Sequence, residues 1–214
     1  ALVVAFALVF TSAGAFACTS IAVSVGASVD GSTSVTHTCD SGNSPFEIVK
    51  VPAMDYAPGT MTDVLNLPQM TAGNQMSDYA GQPTGNQIPQ VEHTYGYLRA
   101  LFGVINEKQV GIGETTISGR RESRNANGFF DITNLSMYAL ERGATAREAI
   151  QVMGELAEKY GYKDGGEELS VSDPKEAWIF EIVGPGPLWQ QGDPGPGAYW
   201  VAQRVPDGHV AASA

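Results

Sequence analysis

Apolar and polar positions change rhythm several times along the 214 residues. Residues 1–16 are almost wholly apolar and carry no charge; an alternating pattern begins just after Cys18. Thr-Ser-Ile-Ala-Val-Ser-Val over residues 19–25 alternates as a half-buried strand does. Asp30-Gly31-Ser32 is a hairpin signal, so a partner strand over 33–38 brings His37, Thr38, Cys39 and Asp40 back beside Cys18. Residues 46–51 predict a further strand. From 52 to 92 the composition turns to Gly, Pro, Asn, Gln and Met with little period, which predicts a long loop or excursion. Apolar runs at 95–105 and 109–117 flank Asn106-Glu107-Lys108 and predict a second hairpin, followed by a polar loop over 120–127.

The period then becomes helical. Asp131 is placed to cap a helix running to about Arg142 and ended by Gly143. Thr145-Ala146-Arg147-Glu148 fits a capping box, and the helix it opens carries Ala149, Ile150, Met153, Leu156 and Ala157 on one face before Gly161. Residues 169–172 and 177–183 around Asp173-Pro174-Lys175-Glu176 predict a third hairpin. A Pro/Gly loop over 184–197 leads to a last strand at 199–205. Hairpins, a helix pair and more strands predict an α+β layered domain. A parallel α/β sheet is excluded because turns, not helices, join most strands.

The chemistry centres on Cys18. The apolar run before it is short for a bilayer span and ends in Ala15-Phe16-Ala17, the small-x-small pattern of a signal-peptide cleavage site. Residues 1–17 are therefore expected to be a leader and 18–214 the mature, exported part, periplasmic or secreted, with no membrane span. Cutting after Ala17 makes Cys18 the new N-terminus and puts a nucleophile and a base on one residue. A thiol titrates near 8.5 and an α-amine near 7.7–8.0, so the amine takes the thiol proton at about neutral pH. Three other readings stay open: a disulfide to Cys39, a lipidated cysteine that anchors an exported binding protein, and a buried strand cysteine.

Composition narrows the rest. The net charge of −11, from 12 basic and 23 acidic residues, argues against nucleic acid, since no basic cluster exceeds Arg120-Arg121. Two cysteines are too few for a disulfide scaffold, and His37, His93 and His209 have no metal-ligand spacing. No metal or organic cofactor is expected. The sequence lacks an initiator Met and is expected to be a fragment, incomplete at both ends.

Five separated blocks together resemble a known family. They are Cys18-Thr19-Ser20-Ile21 with Asp30-Gly31-Ser32 and Thr38-Cys39-Asp40-Ser41; Asn106 to Thr116; Ala146-Arg147-Glu148-Ala149-Ile150; Asp173 to Glu181; and Trp200 to His209. In this order and spacing they are similar to the dipeptidase A-type cysteine peptidases, relatives of the choloylglycine and penicillin V acylases in the Ntn-hydrolase superfamily. The likeness implies a four-layer αββα sandwich, of which 18–214 is the N-terminal part, and hydrolysis of dipeptides. An acylase acting on a non-peptide amide is the alternative. It also implies roles. Cys18 matches the processed nucleophile, and Asp40 the acid that holds the N-terminal amine, where the plainer reading is a strand-end turn residue. His37 stands where related acylases have Arg. Glu114 and Thr116 fall where those acylases place an oxyanion-hole Asn, with Glu114 a candidate for meeting the substrate ammonium. Arg204 falls near another active-site position and reads equally as a surface charge. Oligomeric state is left open.

Overall fold

The computed structural model describes residues 18–40, 48–67, 81–117 and 119–214. The expected leader over 1–17 lies outside these residues, as do Ser41 and the start of the strand expected at 46–51.

The largest element is a seven-stranded sheet whose paired strands are all antiparallel. Its members in space are β13 (Tyr199–Arg204), β12 (Glu176–Val183), β11 (Glu167–Asp173), β10 (Gly111–Thr116), β9 (Gly103–Asn106), β8 (Tyr97–Arg99) and β3 (Val49–Val51). The hairpin expected around residues 173–176 is the β11–β12 pair, in register from Glu167 opposite Ile182 to Asp173 opposite Glu176. Asp173 holds the turn: its carboxylate accepts from the main-chain N–H groups of Lys175 and Glu176.

One face of this sheet carries the two helices, α1 (Ile132–Arg142) and α2 (Ala146–Tyr160). Both start where side-chain caps satisfy the free N–H groups of the first turn. Asp131 and Asn134 form a full capping box on α1; Thr145 accepts from the Glu148 N–H on α2. Glu148 reaches instead to the N–H of Ala144, one residue before the cap, which is where the expected second box differs. Ile132, Leu135, Leu140, Ile150 and Met153 meet Ile112, Leu169, Val171 and Phe180 in the main core.

The stretch expected as a loop over 52–92 is partly ordered strand. β4 (Met54–Asp55) pairs with β7 (His93–Thr94), and β5 (Met61–Asn66) with β6 (Gln82–Pro89). The β5–β6 ribbon folds over α1, with Val64, Leu67 and Ile88 buried and the Asn134 side-chain amide donating to the Leu65 carbonyl at 2.8 Å. That cover leaves every residue from Ile132 to Leu140 buried, more than a sheet and one neighbouring helix would achieve. The run at 95–105 is likewise corrected. It folds as two strands, β8 and β9, with Ala100 donating to the Phe102 carbonyl between them.

The other face of the large sheet carries a three-stranded sheet: β14 (Val210–Ser213), β1 (Thr19–Val23) and β2 (Ser34–Thr38). Here β1 and β2 form the expected first hairpin, and β14 is a strand the sequence pattern did not announce. The sheets meet through small residues. A Cβ on Gly113 would come within 3.0 Å of the Thr36 carbonyl oxygen, and one on Gly111 within 3.1 Å of Val35. Glycine at these places lets β2 lie directly on β10. The described residues thus stack as helices, sheet and sheet, an α+β arrangement, and no helix among them is long and apolar enough to cross a membrane.

Candidate active site

Cys18 stands at the open end of the β1–β2 ladder. The register runs Thr19 opposite Thr38, Ser20 opposite His37 and Ile21 opposite Thr36, so the next pair outward is Cys18 and Cys39. Side chains alternate across a strand, which puts Cys18 and Cys39 on the same face as Ser20, Ala22 and His37, towards the large sheet. Both cysteines are half-buried and reduced, so the disulfide reading does not apply to this structure.

Three further groups fix Cys18. Its carbonyl oxygen accepts a 2.6 Å hydrogen bond from the Thr115 hydroxyl on β10. The N–H of the next residue, Thr19, donates to the Thr38 hydroxyl at 3.1 Å. Its sulfur accepts from the main-chain N–H of Asp40 and donates its own proton towards Cys39. Burial pushes the thiol up to about 11; the Asp40 N–H works against that, and the charge of Glu114 adds to it. Within the continuous chain, then, the sulfur is a protonated thiol near neutral pH.

Buried acids lie on both faces of the large sheet near it. Glu114 is 1% exposed and Glu167, diagonal to it on β11, 7%. Burial raises both carboxyls, Glu167 to about 9, and Glu167 donates a shared proton to Glu114 while Thr116 steadies both. On the inter-sheet side, Ser20 of β1 bonds Ser170 of β11, and Ser170 donates to Glu168 at 3.3 Å. Burial also pushes Glu168 up, to about 7. Neither Glu167 nor Glu168 stands out in the sequence, because two adjacent glutamates ahead of an apolar run read as a solvated strand entry. Cys39 was expected beside Cys18, with a disulfide between them left open; the structure has the two in contact as thiols.

The expected site residues separate into groups. Cys18 and Asp40 come together, through the Asp40 main chain, with the Asp40 side chain exposed. His37 packs edge-on to Phe102 at a ring separation of 6.0 Å, and burial lowers its pKa, so it is a neutral packing group between the sheets. Glu114 is too deeply buried to offer a surface to a substrate ammonium and acts on Cys18 through its charge. Thr116 is exposed at the end of β10. Arg204 is not brought to the site. It lies opposite Trp178, bonded to Glu176 at 3.1 Å and Asp207 at 2.6 Å. That is three strands from β10, roughly 14 Å at the usual strand spacing, and towards the other strand end.

A reduced cysteine at a strand start, clasped by the neighbouring strand and by the sheet below, is the point at which the family comparison bears. The model of peptidase family C69 matches residues 17–214. The chain belongs to that family. Curated relatives include a probable dipeptidase of Latilactobacillus sakei, 28% identical over 92% of this chain and 39% of its own length. A dipeptidase of Bifidobacterium longum is 27% identical over 89% of this chain and 36% of its own, and a probable dipeptidase A of Streptococcus pyogenes serotype M1 27% over 90% and 38%. The chain spans about two fifths of the length of the curated relatives it matches.

Proposed function

We propose that this chain is the N-terminal part of a cysteine dipeptidase, an Ntn hydrolase whose nucleophile is Cys18 once the chain is cut after Ala17. The observation that carries the reading is the position of Cys18, with its carbonyl pinned by Thr115 and its sulfur on the Asp40 N–H. The family match, which begins at residue 17, next to the proposed cut, and the dipeptidase names of the relatives support it.

The cut changes the electrostatics at the one atom that matters. A new α-ammonium, two bonds from the Cys18 Cβ, favours the thiolate that burial now disfavours. The amine accepts the thiol proton, the sulfur attacks the dipeptide carbonyl, and the ammonium returns the proton to the leaving amine. Water then clears the thioester with the amine again as base. In this scheme Asp40 orients the amine as a triad acid orients its histidine. The leader directs the protein out of the cytoplasm. The four-layer sandwich is completed by a helical layer on the outer face of the three-stranded sheet, where Ile21 and Val23 are half-buried and Val210 is exposed.

The test is hydrolysis of a dipeptide panel, with bile-salt and penicillin V amides for comparison, by the processed protein and by Cys18→Ala. Dipeptide turnover that vanishes in the variant supports the reading. Turnover only of the acyl amides makes it an acylase, and a diacylglyceryl adduct on Cys18 a lipoprotein.

A further inference from the structure

We propose that Cys18 and Cys39 form a reversible disulfide that takes the nucleophile out of use, with Cys39 as the resolving thiol. The register supplies the geometry. Thr19 faces Thr38, so Cys18 and Cys39 are direct cross-strand neighbours on one face of the β1–β2 pair. Directly opposed residues of an antiparallel pair have Cα atoms roughly 4.5–5.5 Å apart, inside the span of about 4.4–6.8 Å that a disulfide bridges. The side chains already touch, the Cys18 thiol hydrogen-bonding to Cys39. The pair sits one residue beyond the last paired residues of the ladder, Thr19 and Thr38, so joining it breaks none of their pairing.

The chemistry balances with a low-molecular-weight disulfide as oxidant. One of the two thiols, once ionised, attacks glutathione disulfide, forms a mixed disulfide and expels one glutathione thiolate. The neighbouring thiol, losing its proton, attacks the protein sulfur of that mixed disulfide and expels the second. Two protein thiols lose two electrons and two protons, and one glutathione disulfide becomes two glutathiones. Both cysteines are half-buried, within reach of a small oxidant. A dithiol reverses the sequence. The bond would occupy the lone pair that attacks substrate and displace the Asp40 N–H from a free sulfur.

That the bond silences hydrolysis rests on Cys18 being the nucleophile; that it forms does not, and the test separates the two. The protein processed to begin at Cys18 is purified reduced, treated with excess glutathione disulfide, alkylated in denaturant and weighed intact, with peptide mapping. The expected product has lost two protons, accepts no alkyl group and yields one Cys18–Cys39 crosslinked peptide; dithiothreitol restores two alkylatable thiols. Cys39→Ala should give only a glutathione adduct at Cys18. Two alkylatable thiols after full exposure, or adducts without the crosslink, would overturn the pairing. Dipeptide turnover followed in parallel should fall with the crosslinked fraction and return with dithiothreitol. A crosslink that forms with turnover intact overturns the inactivation and, with it, the role of Cys18, while leaving the bond itself established.

Discussion

Thr115 donates its hydroxyl proton to the carbonyl oxygen of Cys18 at 2.6 Å, a contact between residues 97 apart in sequence. Through it the large sheet holds the residue that precedes β1. Thr115 is itself completely buried, so its hydroxyl has no water to fall back on. Replacing it by Val keeps the shape and leaves the Cys18 carbonyl without its donor. Such a loss costs about 1–3 kcal/mol. Thr115→Val should therefore lower the urea midpoint and reduce kcat more than it raises KM. An unchanged midpoint together with unchanged kcat would show that the contact holds nothing in place.

The Glu114–Glu167 pair predicts a pH dependence of stability with a definite sign. Burial raises the folded-state pKa of Glu167 from 4.5 to about 9. Between those values the folded chain binds a proton that the unfolded chain has released, so stability falls as pH rises through that window. Glu168, raised to about 7, pulls the same way. Glu167→Gln cannot ionise. Relative to the parent it should be more stable at pH 8 than at pH 4.5, as read from denaturation midpoints at the two values. A difference between variant and parent that is the same at both would contradict the buried, protonated pair.

Gly113 faces the Thr36 carbonyl with no room for a side chain, a Cβ there falling at 3.0 Å. Gly113→Val must push the two sheets apart at the level of His37. Overpacking of this kind costs typically about 1–3 kcal/mol. The thermal midpoint should drop accordingly; a Val variant as stable as the parent would mean that the sheets are not in contact there.

Arg204 belongs to a surface ion cluster in which Glu176 also accepts from Arg147 at 2.6 Å. Part-exposed pairs of this kind contribute at most about 1 kcal/mol. Arg204→Ala should shift stability by no more than that and leave kcat/KM for dipeptides where it was. A loss of kcat/KM by tenfold or more would bring Arg204 back to the substrate.

The β1–β2 hairpin was legible because two things agree locally: alternation beginning at 19 and an Asp-Gly turn signal in the link between the strands. Knowing the register is enough to set Cys39 and Asp40 beside Cys18. The helices were legible for the same reason, their caps Asp131 and Thr145 lying next to the periodic runs they start. What was not legible depends on partners distant in sequence. Tyr97-Leu98-Arg99-Ala100-Leu101-Phe102 contains no turn residue, and only the packing of Gly103 against Ser136 and Leu140 of α1 shows why the chain reverses there. The β5–β6 ribbon is rich in Thr, Gln, Asn and Pro, and three buried side chains against α1 make it a strand pair. Strand β11 begins at Glu167 rather than at 169 because Glu167 is neutralised by the proton it shares with Glu114 and Glu168 accepts a hydrogen bond from Ser170. Arg204 was set near the site by position in a motif, which carries no information about which end of a strand faces which pocket.

The claim on which the rest depends is that a sulfur held protonated in the continuous chain becomes a nucleophile when its own amine is released. The direct measurement is dipeptide hydrolysis by two preparations of the same protein, one beginning at Cys18 and one keeping Ala17 attached, each verified by intact mass. Turnover confined to the preparation that begins with Cys18, and absent from its Cys18→Ala counterpart, is the predicted result. Equal turnover with Ala17 still in place would contradict it.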